Sequence, residues 1–304
     1  MQALEGRFVA QQIQGERDYQ EDDFGLLDSG KAVPEATPAT KKAKISEHTL
    51  MVLTDGMGGH KGGGVASSIA TRSFLEIYER SKADRKPDEK IQTSLEKSLF
   101  AANDALAKAI DNNGNLSGMG TTLVATVVTD LGLYWLSVGD SPLWLFRDGQ
   151  LKRLNEDHSM APVLDDLVAT GRLSAEEKNK DGRKNTLRSA LMGDEIPLID
   201  TSSVPMPVYS FDIVILASDG IETLSDKAIE KILKKKSRSG LEVCANALIE
   251  AVQKAKKKNQ DNCTVILYSP PQIEGDENKQ LKGGLWSMLK AEFNKLGRPQ
   301  GDKG

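Results

Sequence analysis

The apolar positions of this chain change period several times, and each change marks an element. Residues 6–14 alternate weakly through Phe8, Ala10 and Ile13 and predict a first strand. Residues 16–25 (ERDYQEDDFG) are dense in acids and lead into a second short strand. Residues 28–47 are rich in Pro, Ala, Thr and Lys without an apolar period, which reads as a mobile loop insertion. Residues 48–53 form an apolar strand that stops at Thr54-Asp55-Gly56, and six glycines fall within the nine residues 56–64. A helical pattern then opens at Val65. Steps of three and four mark two long amphipathic helices, through Val65, Ile69, Phe74 and Ile77 and through Ile91, Leu95, Leu99, Ala102, Leu106 and Ile110. Each carries one apolar stripe, so each covers one face of a sheet.

The middle of the chain switches to strands. Residues 118–129 and 133–138 flank a turn at Asp130-Leu131-Gly132, and residues 142–146 and 150–154 flank Arg147-Asp148-Gly149. Residues 155–190 are polar and weakly periodic and read as a flap. Residues 212–218 (DIVILAS) are an apolar strand running into Asp219-Gly220; helices over 226–236 and 241–258 follow, and residues 263–268 are a last strand. Consecutive antiparallel hairpins set between helix pairs predict an α+β fold, not alternating βαβ units. The expected organisation is one domain over residues 1–270 and a polar tail, 271–304, with a short amphipathic helix at 285–296 (Leu285, Leu289, Phe293 and Leu296 on one side).

Composition narrows the function classes. Lys+Arg 40 against Asp+Glu 44 leaves a formal net charge of -4, which provides no basic field for nucleic acid. No apolar run reaches membrane-spanning length, and no signal-peptide layout opens the chain. The two cysteines, Cys244 and Cys263, sit in a helical and a strand pattern and read as buried thiols of a reducing, cytoplasmic compartment.

The chemistry lies in the acids. Asp55, Asp140, Asp219 and Asp261 each stand beside Gly or Asn at the end of a strand pattern, and Glu21 and Asp22 add two more. Strands lying side by side would bring these carboxylates to one rim, where bound cations would offset their repulsion. Oxygen donors without His or Cys select Mg²⁺ or Mn²⁺ over zinc. Two such ions about 4 Å apart activate a water and polarise a phosphoryl group. Arg17, four residues before Glu21, supplies a fork for phosphate. The segment GGHKGGG is not a nucleotide loop, because Lys61 precedes glycine and not Ser or Thr.

These residues also carry a family resemblance. ERDYQEDDFG, VLTDGMGGHKGGG, GMGTTLVATVV, WLSVGDSPLWLFRDGQLKRLNEDHS, NTLRSALMG, VILASDGIETLSD and NQDNCTVIL occur in the order found in metal-dependent protein phosphatases of the 2C serine/threonine type, the bacterial branch in particular. The resemblance covers residues 6–269. It implies a four-layer α-β-β-α sandwich, two packed antiparallel sheets flanked by helix pairs. It also implies hydrolysis of phosphoserine and phosphothreonine in proteins, opposing a serine/threonine kinase that shares those substrates. Asp55 would bridge two central Mn²⁺ or Mg²⁺ ions and the Gly56 carbonyl would bind one of them. Asp219 and Asp261 would complete the other, with Glu21 beside it. Asp22 would orient the attacking water, Arg17 would bind the phosphate, and Asp140 would anchor a third, weaker ion.

The chain departs from the pattern at two residues, and its loop of residues 28–47 is longer than the family pattern leads one to expect, which would alter substrate access. Met57 stands where animal members have a histidine, with His60 nearby as an alternative proton donor, and Pro142 replaces the arginine of the GDSR segment. His158 reads as a structural hydrogen-bonding residue. The competing function is a binding or regulatory module on the same fold, whose mark would be a lost metal acid; Asp55, Asp219 and Asp261 are all present.

Overall fold

In the computed structural model the strand β5 (Thr49–Met57) sits at the centre, with Leu50 and Val52 packed to one side and Met51 and Leu53 to the other. A strand buried on both faces reads as a continuous apolar run, and fully burying each such side chain contributes about 1.5–3 kcal/mol. The structure describes residues 5–28, 31–32, 39–44, 49–58, 62–81, 89–129 and 131–270. The chain divides into two units, Met1–Pro271 and Gln272–Gly304. The tail and the helix expected at 285–296 lie outside the described residues.

Two antiparallel sheets follow from the chain order. The strands β1 (Glu5–Ile13), β2 (Asp22–Asp28), β3 (Lys31–Ala32), β4 (Ala39–Lys44), β6 (Gly120–Thr121), β7 (Leu123–Thr129), β8 (Gly132–Val138), β9 (Leu143–Arg147), β10 (Gln150–Arg153), β11 (Asp200–Thr201), β12 (Ile213–Ala217) and β13 (Cys263–Ser269) join β5. One sheet runs β10-β9-β12-β13-β1-β4 and the other β11-β8-β7-β5-β2-β3, with β6 paired to the end of β5. The β9–β10 turn is Asp148-Gly149, both at positive φ (51° and 74°), which matches the twist of a two-residue hairpin.

Between the sheets, Phe8, Met51, Leu53, Val124, Leu145, Val214, Leu216 and Ile266 interdigitate. The outer face of the β5 sheet is covered by α1 (Gly62–Arg80) and α2 (Glu89–Asn112) through Phe74, Tyr78, Leu95, Leu99 and Leu106. The outer face of the other sheet is covered by α5 (Asp226–Lys236) and α6 (Leu241–Ala255) through Ile229, Leu233, Cys244, Leu248 and Val252. This is the expected four-layer α-β-β-α arrangement. Cys244 and Cys263 are buried free thiols.

Several boundaries differ from the sequence reading. β5 does not stop at Thr54; it continues through Asp55 and Gly56 to Met57, because Asp55 pairs with Asp22 while Gly56 and Met57 pair with β6. Part of residues 28–47, read as a loop, is strand: β3 pairs with β2 and β4 with β1. A strand added at a sheet edge is held by backbone bonds, which leave no apolar period in the sequence. The flap region contains two short helices, α3 (Ala161–Ala169) and α4 (Ala175–Lys180), the second opened by a capping box between Ser174 and Glu177. Helix α6 ends at Ala255 and not at Lys258, because Lys256 turns into the left-handed region at φ 49°.

Candidate metal centre

The acids converge at one end of the sandwich. Asp22 and Asp55 are direct partners in the β2–β5 ladder. Asp219 opens a short 3-10 turn (Asp219–Thr223) directly after β12 and Ser218, and Asp261 lies just before β13. Glu21 immediately precedes β2, and its carbonyl accepts the Gly56 amide at 3.0 Å. Asp140 follows β8, where the Arg153 guanidinium donates to its carbonyl at 2.5 Å. Arg17 forms an ion pair with Asp261, with side chains 47% and 34% exposed. His60 lies outside the described residues.

Electrostatics record the crowding. Burial holds Asp55 well above the ordinary carboxylate range, and the charges of Asp22, Asp219, Asp140 and Asp261 push it further. Burial raises Asp22 to about 7 against the pull of two hydroxyl hydrogen bonds. Asp140 is pushed up to about 7 by burial, then by Asp219, Asp157 and Glu222. Asp219 rises to about 6 through burial and Asp261, with Lys257 and Arg17 opposing. Glu21 is raised by burial, and Arg17 opposes the shift.

The donor set fits a hard divalent cation. Every candidate ligand atom is oxygen; Glu21 Oε1 is buried without a hydrogen-bond partner, as is Oδ1 of the neighbouring Asp22. The backbone also comes close: a Cβ on Gly56 would stand 2.1 Å from the Gly63 carbonyl oxygen, and one on Gly63 would stand 2.4 Å from Glu21 Oε1. Only glycine permits this approach at either position. Among the described residues no three His, Cys, Asp or Glu side chains are gathered tightly enough to cage a cation alone. Asp261 is turned to Arg17, and one oxygen of Asp22 is held by hydroxyls. Backbone carbonyls and water would therefore make up the rest of such a shell.

Sequence reasoning missed the groups that aim these acids. Ser218 Oγ and Thr264 Oγ1 donate to Asp22 Oδ2 at 2.7 and 2.6 Å. The Asn262 side chain accepts the Glu21 amide at 2.8 Å and donates to the Gln14 and Tyr19 carbonyls at 2.6 and 3.0 Å. Thr121 Oγ1 and the Thr122 amide both donate to the Asp55 carbonyl at 2.9 Å, and Thr122 Oγ1 accepts the Asp55 amide at 3.1 Å. The signal was a hydroxyl inside an otherwise apolar strand pattern, as at Ser218 and Thr264. His158 is 1% exposed, and its Nδ1 accepts the Gly139 amide at 3.2 Å, which is the structural role expected of it.

Comparison with known proteins adds lineage to geometry. The family model for protein phosphatase 2C matches residues 39–260. The serine/threonine phosphatase stp of Listeria innocua is 33% identical over 219 residues, covering 72% of this chain and 83% of that protein. The serine/threonine protein phosphatase PstP of Mycobacterium tuberculosis is 30% identical over 239 residues, 78% of this chain and 43% of that protein. Among solved structures, Stp1 from Staphylococcus aureus superposes with a TM-score of 0.69 at 26% identity, covering 88% of this chain and 95% of that one. The catalytic domain of PstP in complex with two manganese ions has a TM-score of 0.65 at 27% identity, covering 88% of this chain and 100% of that one. Among the described residues, no helix is long and apolar enough to cross a membrane.

Proposed function

The chain belongs to the protein phosphatase 2C family and is a metal-dependent serine/threonine phosphatase, and we propose that Asp55, the Gly56 carbonyl, Asp219, Asp261 and Glu21 hold its two central cations. Mn²⁺ and Mg²⁺ both suit the all-oxygen donors, and Asp140, with Asp157 and Glu222 acting on it, holds a third ion more weakly. Bound there, divalent cations supply Lewis acidity that activates water and neutralises charge on the phosphoryl oxygens.

The chain's own residues do the rest. The Arg17 guanidinium leaves Asp261 to grip the phosphate of phosphoserine or phosphothreonine through its planar fork. Asp22 has one oxygen fixed by Ser218 and Thr264, so its other oxygen, Oδ1, is presented rigidly as the acceptor that orients the attacking water. His60 is a secondary candidate for the proton donor to the leaving serine or threonine oxygen. The substrates are phosphorylated proteins, with a cognate serine/threonine kinase adding what this enzyme removes. The buried free thiols Cys244 and Cys263 suit a reducing cytoplasm.

The observation that carries this reading is the convergence of Asp22, Asp55, Asp140, Asp219 and Asp261 on one locus, each of the first four raised by burial and by neighbouring acids. It is tested by phosphate release from a phosphothreonine peptide, with and without manganese, for wild type and Asp55→Ala. Manganese-dependent release that collapses in the variant is the expected result. No release from wild type across several peptides and metals would move the assignment to a binding module.

A further inference from the structure

A cleft beside the metal centre has no part in the chemistry above. The segment that delivers Arg17 and the end of α6 form the two walls of a cavity of about 530 Å³, lined by Gln14, Glu16, Gln253, Lys256, Lys257 and Gln260 among others. Both walls are tied to the site. Gln14 Nε2 donates to the Arg17 carbonyl at 2.6 Å, and the Glu16 amide donates to the Gln260 carbonyl at 2.8 Å. Gly15 packs so tightly that a Cβ would stand 2.3 Å from the Asp261 carbonyl oxygen. The cleft thus adjoins Arg17 along one wall and Asp261 along the other.

Its charge is unbalanced, although Lys257 also acts at longer range on Asp219 of the metal centre. Lys256, Lys257 and Lys258 are exposed, and among the described residues none has a carboxylate within ion-pair distance. Lys254, two residues before Lys256, is already paired with Glu250 at 3.0 Å. Glu16 is the one acid among the lining residues, and its Oε2 is engaged by the Asn259 amide at 2.7 Å. Lys256 also closes α6 at φ 49°, a left-handed position where glycine is the low-strain choice. A solvated lysine run would explain the exposure, but not a cavity walled by the same segment that carries the phosphate-binding arginine.

We infer that this cleft takes an acidic side chain of the phosphoprotein substrate, an aspartate or glutamate a few residues from the phosphorylated serine or threonine, held by Lys256 and Lys257 while Arg17 holds the phosphate. This rests on the phosphatase reading above. It gives that reading a substrate preference which no metal ligand could supply, because cations and Arg17 recognise the phosphate alone. The contact is a ground-state one, so it acts on KM more than on kcat.

The test uses the full chain in manganese and two phosphothreonine peptides that differ only in flanking glutamates against glutamines, with a small aryl phosphate as a third substrate. Wild type is expected to favour the acidic peptide in kcat/KM by about fivefold at low salt, through KM, with the preference shrinking as salt rises. Lys256→Gln/Lys257→Gln should bring the ratio to about one, and Lys256→Arg/Lys257→Arg should keep it. Charge reversal, Lys256→Glu/Lys257→Glu, should invert it. Equal ratios in wild type and the glutamine variant would overturn the inference and leave the phosphatase assignment standing. No turnover of any of the three substrates would overturn the assignment and the inference together.

Discussion

Asp22 and Asp55 stand directly opposite each other in the antiparallel ladder between β2 and β5. Like charges in that relationship destabilise a sheet, and here both carboxyls are also raised by burial. On the proposed metal-centre reading, function and not stability accounts for the pair. Asp55→Asn is therefore expected to stabilise the metal-free protein by about 1–2 kcal/mol, or about 2–8 °C in melting temperature. The same change should lower manganese-dependent turnover by at least about 100-fold. Thermal melting in chelator and phosphopeptide kinetics in manganese measure the two effects on one sample; a melting point that falls in chelator would contradict the argument.

Stability of the metal-free protein should fall as pH rises. Asp22 and Asp140 titrate near 7 and Asp219 near 6 in the fold, above the ordinary carboxylate value of 3.8. The folded state thus binds more protons than the unfolded chain across that interval. Their contribution is fully present below about pH 4 and is lost as pH passes through 6 to 7. Melting temperature in chelator should drop from pH 5 to pH 8, and added manganese should restore most of the loss at the upper end. A flat profile in chelator would show that these groups are not raised.

Arg17 should matter to substrate and little to the fold. Its pair with Asp261 is partly exposed and reached by solvent, so Arg17→Ala should change stability by less than about 0.5 kcal/mol. Loss of a charge-assisted fork to phosphate should lower kcat/KM by about 10- to 100-fold. Arg17→Lys should recover only part of it, since an ammonium cannot form two parallel bonds. Steady-state kinetics on a phosphothreonine peptide separate these outcomes; full recovery by lysine would exclude the bidentate contact.

Much of this was legible in the sequence wherever a pattern is local. Period marked α1, α2 and α6 because one-sided burial writes a period into contiguous residues, and a weak alternation marked β1; β13, buried on both faces, showed as an apolar run. The strand-end acids were visible as carboxylates interrupting apolar runs. What escaped was set by distant partners. The extension of β5 through Asp55 depends on β2 and β6, neither adjacent in the chain. The hydroxyls that hold Asp22 come from 196 and 242 residues away. The ladder between β1 and β4 carries no period to read.

The buried pair Arg147–Asp212 belongs to the same unseen class, since Arg147 reads in sequence as part of a turn. Its Nε and Nη2 reach the two Asp212 oxygens at 2.9 and 2.6 Å, Nη2 also donates to the Pro207 carbonyl at 2.8 Å, and the guanidinium lies 4.6 Å from the Tyr209 ring centroid. Removing one partner strands the other charge, so Asp212→Ala should cost about 3–5 kcal/mol. Below its melting temperature the variant should retain kcat, because this pair lies at the opposite end of β12 from Asp219. Urea unfolding and kinetics at low temperature check both halves; a loss smaller than about 1 kcal/mol would mean water reaches the pair.

The carboxylate of Asp22 stands on one sheet and is gripped by hydroxyls of the other, Ser218 after β12 and Thr264 in β13. It works as a bolt through the sandwich. Neither sheet can slide or open along this end without releasing Asp22, the group proposed to aim the attacking water. Activity should therefore report on the integrity of the whole sandwich, disappearing in step with global unfolding instead of outlasting one half of it.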